Sequence, residues 1–165
     1  MSKHHVEMTI NGRRHSSDIE SRISLGDFLR DDAGYTGVHL GCEHGVCGAC
    51  TVIVDGKAVR SCLMLAVQAD GSKVTTAEGL AAADGRLHPV QQAMLEEHAL
   101  QCGFCTPGVV MTLAALTDNA QPSEQQLLAA LSGHICRCTG YQGIRRAAKK
   151  LGTPSIEEVS LGETL

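Results

Sequence analysis

Short strand-like runs separated by turn residues occupy residues 1–80, and in VEMTI, residues 6–10, apolar and polar positions alternate with the two-residue period typical of half-buried β-strands. The dipeptides Asn11-Gly12 and Asp55-Gly56 each separate two such runs, and both are typical of the tight turn in a β-hairpin. The run KVTTAEGL, residues 73–80, predicts a further short strand. We therefore expect a small mixed sheet in this part of the chain.

One stretch inside this region has helical spacing instead. Ser24 is a suitable N-cap for a helix over residues 24–33, in which Leu25, Phe28 and Leu29 would share one face. Because that face is apolar, the helix is predicted to pack across the sheet.

From about residue 84 the apolar positions follow the helical period. Pro107 suits the first turn of a helix, and Ser123 followed by Gln126 has the form of a capping box. Helices are predicted over residues 90–98, 107–117, 123–132 and 141–151. They suggest a compact four-helix bundle, so the predicted fold class is α+β. The expected division is a sheet domain over residues 1–80, an Ala- and Gly-rich linker over 81–89 and a helical domain over 90–165.

Composition changes the expectation of how these domains are stabilised. The chain has 165 residues, of which 43% are hydrophobic but only 2% aromatic, so each half is expected to have a thin core. Eight cysteines are the obvious source of additional crosslinks.

Charge and hydropathy exclude several classes of protein. A net charge of −4 without a long Lys/Arg cluster argues against a nucleic-acid partner. No stretch reaches the roughly 20 apolar residues of a membrane helix, and the N-terminus lacks the pattern of a secretion signal. A cytoplasmic location is therefore expected, where thiols stay reduced and serve as metal ligands rather than as disulfides.

The first group of cysteines has the C-x4-C-x2-C spacing of plant-type [2Fe–2S] proteins. Its members are Cys42, Cys47 and Cys50, with Cys62 expected as a fourth ligand on the return strand of the second hairpin. The same loop contains Gly41, Gly45 and Gly48. Positive φ angles at these glycines would turn backbone N–H groups toward the sulfurs.

A zinc site or simple buried cysteines are the alternatives, and zinc usually takes two C-x2-C-like pairs. His44, inside this loop, is interpreted as a solvent-facing spacer rather than a ligand.

The second group consists of a C-x2-C pair and a C-x-C pair thirty residues later, each at a predicted helix end. Its members are Cys102, Cys105, Cys136 and Cys138. Two helical hairpins folded together would bring four thiolates to one point. The spacing alone leaves open whether this group binds an iron–sulfur cluster or zinc. His134 is expected at the end of the third helix of the bundle, close to this group.

Three motifs together resemble the iron–sulfur subunit of the xanthine oxidase family of molybdenum hydroxylases. They are VHLGCEHGVCGACTVIV at residues 38–54, QCGFCTPG at 101–108 and GHICRCTGYQG at 133–143. The resemblance covers roughly residues 4–152 and fills all eight ligand positions. It implies a β-grasp, plant-ferredoxin-like [2Fe–2S] domain followed by a four-helix [2Fe–2S] domain.

The resemblance also implies partners and a role. A large subunit would hold molybdopterin in its cytosine dinucleotide form, a medium subunit would hold FAD, and such trimers would pair into a dimer. Electrons would pass one at a time from molybdopterin through the helical-domain cluster and then the sheet-domain cluster to FAD. By resemblance, Gln101 and Cys138 approach the pterin. The chain itself is expected to bind no substrate and to contribute no catalytic residue, and it has no G-x-G-x-x-G loop for a nucleotide. A free-standing two-cluster ferredoxin and a zinc-binding interaction module are the alternatives.

Overall fold

A computed structural model describes residues 3–153 of the chain. The strands are β1 (Lys3–Ile10), β2 (Arg13–Glu20), β3 (Thr51–Val54), β4 (Lys57–Arg60) and β5 (Lys73–Thr75). They form one sheet in the order β2-β1-β5-β3-β4, in which β1 and β5 are parallel and all other neighbours antiparallel. The predicted mixed sheet is confirmed.

Both predicted hairpin turns are present. Asn11 and Gly12 have φ angles of 50° and 77°, and Asp55 and Gly56 have φ angles of 47° and 80°. Positive φ at both central residues matches the right-handed twist of the flanking strands. The return strand of the second hairpin ends at Arg60, so the expectation that Cys62 lies on it is wrong. The chain turns after Arg60, where Leu63 N–H donates to the Arg60 carbonyl.

A short helical segment packs against the sheet. It consists of α1 (Leu25–Asp27) and a π-helical turn over Phe28–Asp32. The Ser24 hydroxyl accepts the Asp27 N–H at 3.0 Å, which confirms the predicted cap. The π-helical turn differs from the regular helix predicted, and Ala33 N–H donates to Phe28 O across it. Phe28 and Leu29, the first two residues of this wider turn, are fully buried.

The second half contains the predicted helices. They are α2 (Pro89–Glu96), α3 (Thr106–Asn119), α4 (Glu124–Leu131) and α5 (Gln142–Leu151). Each packs against two others, in the cycle α2, α3, α4, α5. Pro107 lies in the first turn of α3, and Ser123 and Gln126 form the predicted capping box of α4. The bundle and the α+β fold class are confirmed.

Strand β3 joins the two halves. All four of its residues are buried, because α3 covers the face of the sheet opposite to α1. Val52 and Val54 belong to the core between the sheet and α1, whereas Ile53 belongs to the core of the helical bundle. A strand with both faces covered reads as a continuous apolar run, which TVIV is.

In residues 3–153 no helix is long and apolar enough to cross a membrane. The expected boundaries at 81 and 90 stay predictions.

Candidate metal centres

The first four cysteines lie at one end of the sheet. Cys42, Cys47 and Cys50 lie in the loop that precedes β3, and Cys62 lies in the turn that follows β4. Strands β3 and β4 are paired, so their outer ends bring Cys50 and Cys62 together, and the Cys50 thiol helps to raise the pKa of the Cys62 thiol. The buried Ser61 hydroxyl donates to Cys50 O at 2.7 Å, which fixes the turn against the loop.

The loop around Cys42 directs backbone N–H groups at its sulfur. Cys47 N–H donates to Cys42 Sγ at 3.3 Å. Hydrogen bonds from the backbone of Cys47, then of His44, lower the pKa of the Cys42 thiol to about 6, and the Cys47 side chain and Val46 add to this. Local backbone donors thus favour the thiolate, which is the form that binds metal.

Positive φ angles give the loop this shape, but not at every predicted glycine. Gly45 and Gly48 have φ of 83° and 77°, as predicted, and Glu43 adopts 54° although nothing in the sequence marks it. Gly41 is not among the positive-φ residues, so that part of the prediction is wrong. A Cβ at Gly41 would meet the Phe104 ring at 3.1 Å and Cys47 Sγ at 3.3 Å. Close approach therefore explains this glycine.

The side of the first site formed by Cys50 and Cys62 is more buried than the side formed by Cys42. Cys50 is buried, and burial raises the pKa of the Cys62 thiol to about 11, with the neighbouring Cys50 thiol adding to the rise. His44 is exposed, as expected, and its Nδ1 lies 2.5 Å from Cys42 O.

The second four cysteines lie in two loops of the helical half. Cys102 and Cys105 precede α3, and Cys136 and Cys138 lie between α4 and α5. Cys102 Sγ and Cys138 Sγ are 3.5 Å apart, and the Cys136 thiol lies close enough to Cys105 to help raise its pKa. Cys102 and Cys138 are exposed, whereas Cys105 is buried.

The thiols of Cys105 and Cys136 have pKa values shifted in opposite directions. Burial raises the pKa of Cys105 to about 12, and the Cys136 thiol adds to it. Burial also acts to raise the pKa of Cys136, but hydrogen bonds from the Thr139 hydroxyl and the backbone of Thr139 and Cys138 outweigh it and lower that pKa. The backbone N–H of Cys136 donates to the Tyr141 hydroxyl at 2.9 Å.

Each site therefore gathers four thiols that influence one another. Across residues 3–153, no three or more His, Cys, Asp or Glu side chains form a group suited to one ion. Cys47 N–H donates to Cys42 Sγ, and Cys102 Sγ lies 3.5 Å from Cys138 Sγ. The Cys50 and Cys136 thiols help to raise the pKa values of Cys62 and Cys105. Two thiols for each of two irons is the donor set of a [2Fe–2S] cluster, so the residues fit that group.

The loops of the two sites touch each other, which the sequence analysis did not foresee. Ile135 N–H donates to Cys47 O at 3.0 Å. His134 follows α4 near the second site, as expected, but its ring also lies against the first loop, since a Cβ at Gly48 would meet His134 Nδ1 at 2.4 Å. Its Nε2 is 2.8 Å from the Thr112 hydroxyl, and its buried Nδ1 has no hydrogen-bond partner within residues 3–153. Burial, followed by the charge of Arg60, lowers the pKa of His134 to about 4. The sequence signal for this contact is weak, because the partners are about ninety positions apart.

Apolar side chains are exposed beside both sites. Val46 and Leu63 flank the first site and are 55% and 62% exposed. Phe104 and Ile135 lie next to cysteines of the second site and are 48% and 53% exposed. Gln101, predicted to approach a pterin together with Cys138, is exposed as well, and that role stays a prediction. Phe104 also stacks on His39, whose Nδ1 lies 2.7 Å from Phe104 O.

Two protein families match the chain, and each covers one group of cysteines. The family described as "2Fe-2S iron-sulfur cluster binding domain" matches residues 8–82. The family described as "[2Fe-2S] binding domain" matches residues 76–149.

Relatives of similar length match nearly the whole chain. It is 52% identical over 161 residues to caffeine dehydrogenase subunit gamma of Pseudomonas sp. (strain CBB1), which covers 95% of each chain. It is 51% identical over 143 residues to the nicotine 6-hydroxylase small subunit of Paenarthrobacter nicotinovorans, which covers 86% of each. The crystal structure of quinoline 2-oxidoreductase from Pseudomonas putida 86 matches with a TM-score of 0.84 and 41% identity, over 99% of this chain and 100% of that chain.

Proposed function

The chain belongs to the small iron–sulfur subunits of the xanthine oxidase family of molybdenum hydroxylases, and from this we propose that it relays electrons between two partner subunits. The large partner would hold molybdopterin, in its cytosine dinucleotide form, and the medium partner would hold FAD, with two such trimers forming a dimer. The observation that carries the proposal is the placement of two groups of four thiols in loops that share a backbone hydrogen bond.

In this proposal the eight cysteines are the ligands of two clusters. Cys42, Cys47, Cys50 and Cys62 hold the first, and Cys102, Cys105, Cys136 and Cys138 hold the second. Each [2Fe–2S] cluster, when bound, supplies a one-electron redox centre. The matches to two families described as 2Fe-2S binding domains, each covering one group of cysteines, support this assignment over a zinc site.

The chain's own residues connect the two groups through a short route. The Cys47 carbonyl accepts the Ile135 N–H, and Ile135 is bonded directly to Cys136. One hydrogen bond and a few covalent bonds therefore separate a ligand of the first site from a ligand of the second. Gly48, at the same contact, keeps the two loops close because it lacks a side chain.

Exposure suggests which surface faces which cofactor. Cys102, Cys138 and Gln101 are all exposed, so we infer that this side of the helical half approaches the molybdopterin. The apolar Val46 and Leu63 lie on the outer side of the first site, which we assign to the FAD subunit. Exposed apolar groups beside both sites are what a subunit with two partners needs, and they favour this role over a free-standing ferredoxin.

Metal and spectroscopic analysis of the purified complex tests the assignment. About four irons and four labile sulfides per chain are expected, with two distinct EPR signals on reduction. Zinc without iron would contradict it, and a chain that purifies alone with both signals would support the ferredoxin alternative.

A variant tests whether the helical-half cluster lies on the route to FAD. Cys138→Ala should lose the helical-half signal and stop reduction of FAD by substrate, while FAD remains reducible by dithionite. Arg137→Gln, at the neighbouring exposed position, is the control and should keep both signals. Substrate turnover at the normal rate in a Cys138→Ala complex without the second signal would refute the route.

A further inference from the structure

We propose that Arg60 is a positioning residue that fixes the spacing of the two metal sites and places an uncompensated positive charge beside both. The inference rests on the proposed function, because it concerns how the two cluster-binding loops act together.

The Arg60 side chain bridges the loops through its two terminal nitrogens. Nη2 donates to Gly133 O at 2.7 Å, and Nη1 donates to the Thr51 hydroxyl. The buried Thr51 hydroxyl in turn donates to Gly48 O at 2.6 Å. The chain of hydrogen bonds thus starts beside Cys47 in the first loop and ends three residues before Cys136 in the second.

The strand geometry explains why an arginine can do this. Arg60 lies opposite Thr51 in the β3–β4 pair, so its side chain starts next to the first loop and extends across to the second. The planar fork of a guanidinium can donate along two directions at once, whereas a lysine ammonium is a point charge on a flexible stem. Bridging two fixed acceptors therefore needs arginine.

The charge of Arg60 has no acidic partner among residues 3–153. The side chain is half-buried, so water screens it less than it screens a surface arginine. A site that gains an electron becomes more negative, and a nearby fixed positive charge favours that reduced state.

Glycine at position 133 leaves room for this bridge. A Cβ there would lie 2.8 Å from Arg60 Nη2, so an alanine would push the guanidinium away while keeping its charge. Because the obstructed atom ends a flexible side chain, Gly133→Ala should fold normally.

The test uses EPR redox titration of the purified complex with Arg60→Met. The equilibrium constant for one-electron reduction should fall by on the order of tenfold, or about 59 mV, at one site or both. The magnetic interaction between the two reduced centres should also change. Lys57→Met is the matched control, since it removes the same charge at the exposed start of the same strand and should change neither quantity.

Two further variants separate charge from spacing. Arg60→Lys should restore most of the potential but leave the magnetic interaction altered, and Gly133→Ala should alter the interaction in the same sense. If Arg60→Met does not assemble, these two variants decide the question. The proposal is overturned if they, or Arg60→Met, show wild-type potentials and a wild-type interaction. Absence of two signals in the wild-type complex would instead refute the proposed function.

Discussion

The two groups of thiols are held in different ways. In the sheet half, one loop supplies three cysteines and stabilises the Cys42 thiolate with its own backbone N–H groups. In the helical half, two loops that lie at helix ends supply two cysteines each, and side chains of Thr139 and Tyr141 make the supporting hydrogen bonds. A site built from one loop is fixed by local backbone geometry, whereas a site built from two loops depends on the packing of the helices that carry them.

The largest expected difference between the halves follows from removing one ligand. Cys62→Ala should lose the sheet-half EPR signal and about half of the iron, because the remaining three thiols come from a single loop. The helical-half signal should remain, and the unfolding midpoint should fall by roughly 5–10 °C. Leu63→Ala, at the adjacent exposed position, should keep both signals. Two signals at full intensity in Cys62→Ala would contradict the ligand assignment.

The contact between the halves can be tested at Gly108. An alanine in a helix is normally favoured over glycine by about 1 kcal/mol. Here its Cβ would lie 2.1 Å from Gly48 O and 2.9 Å from Ala49 Cα, both backbone atoms that cannot move aside. We expect Gly108→Ala to reduce the free energy of unfolding by about 1–3 kcal/mol and to weaken the magnetic interaction between the reduced centres.

Gly143→Ala is the control for that experiment. It adds the same methyl group 2.7 Å from Glu97 O, within the helical half. Stability should fall, but the magnetic interaction should stay as in the wild type. A more stable Gly108→Ala protein would show that the two halves are not in close contact.

The supporting hydrogen bonds of the helical half can be tested with the two tyrosines of the chain. Tyr141→Phe leaves the Cys136 N–H without its acceptor. This should reduce the free energy of unfolding by about 1–2 kcal/mol. It should shift the potential of the helical-half centre alone. Tyr35→Phe removes a hydrogen bond to His15 in the sheet half and should leave that potential unchanged. Equal shifts in both variants would show that the Tyr141 hydroxyl has no specific effect on this site.

The smallest expected difference concerns the glycines of the two loops. Gly140 and Gly45 both have positive φ, so an alanine at either costs about 1 kcal/mol of backbone strain. At Gly45 the new Cβ would also lie 2.4 Å from Leu63 Cδ1, whereas a Cβ at Gly140 would meet no atom of the described part of the chain within 4 Å. Chemical denaturation should therefore show a larger loss of unfolding free energy for Gly45→Ala than for Gly140→Ala. Adding Leu63→Ala to Gly45→Ala should remove this difference. Identical losses in both single variants would mean that Leu63 moves aside freely.

The sequence predicts the elements of this protein well because their signals are local. Asn11-Gly12 and Asp55-Gly56 mark hairpins, and Ser123 and Gln126 mark a helix start. The cysteine spacings predict ligand loops in the same local way, and that assignment stays a prediction. The junction between the halves has no such signal. Arg60 and Gly133 are 73 positions apart and Gly48 and Gly108 are 60 apart, so only the folded chain brings them together.

Other differences have similar causes. Gly41 is needed because the Phe104 ring approaches it, and that approach depends on the docking of the helical half. Strand β4 ends before Cys62 because the chain turns there to bring Cys62 toward Cys50. In both cases a tertiary contact determines what a local pattern predicts incorrectly.

The alternating side chains of β3 have a consequence for protein engineering. Because Val52 and Ile53 serve different cores, the N-terminal module cannot be excised without exposing an isoleucine that normally lies among the helices. A chimaera that exchanges one redox module between homologues must therefore carry matching residues on both faces of this strand. The two modules are best transplanted as a single cooperative unit.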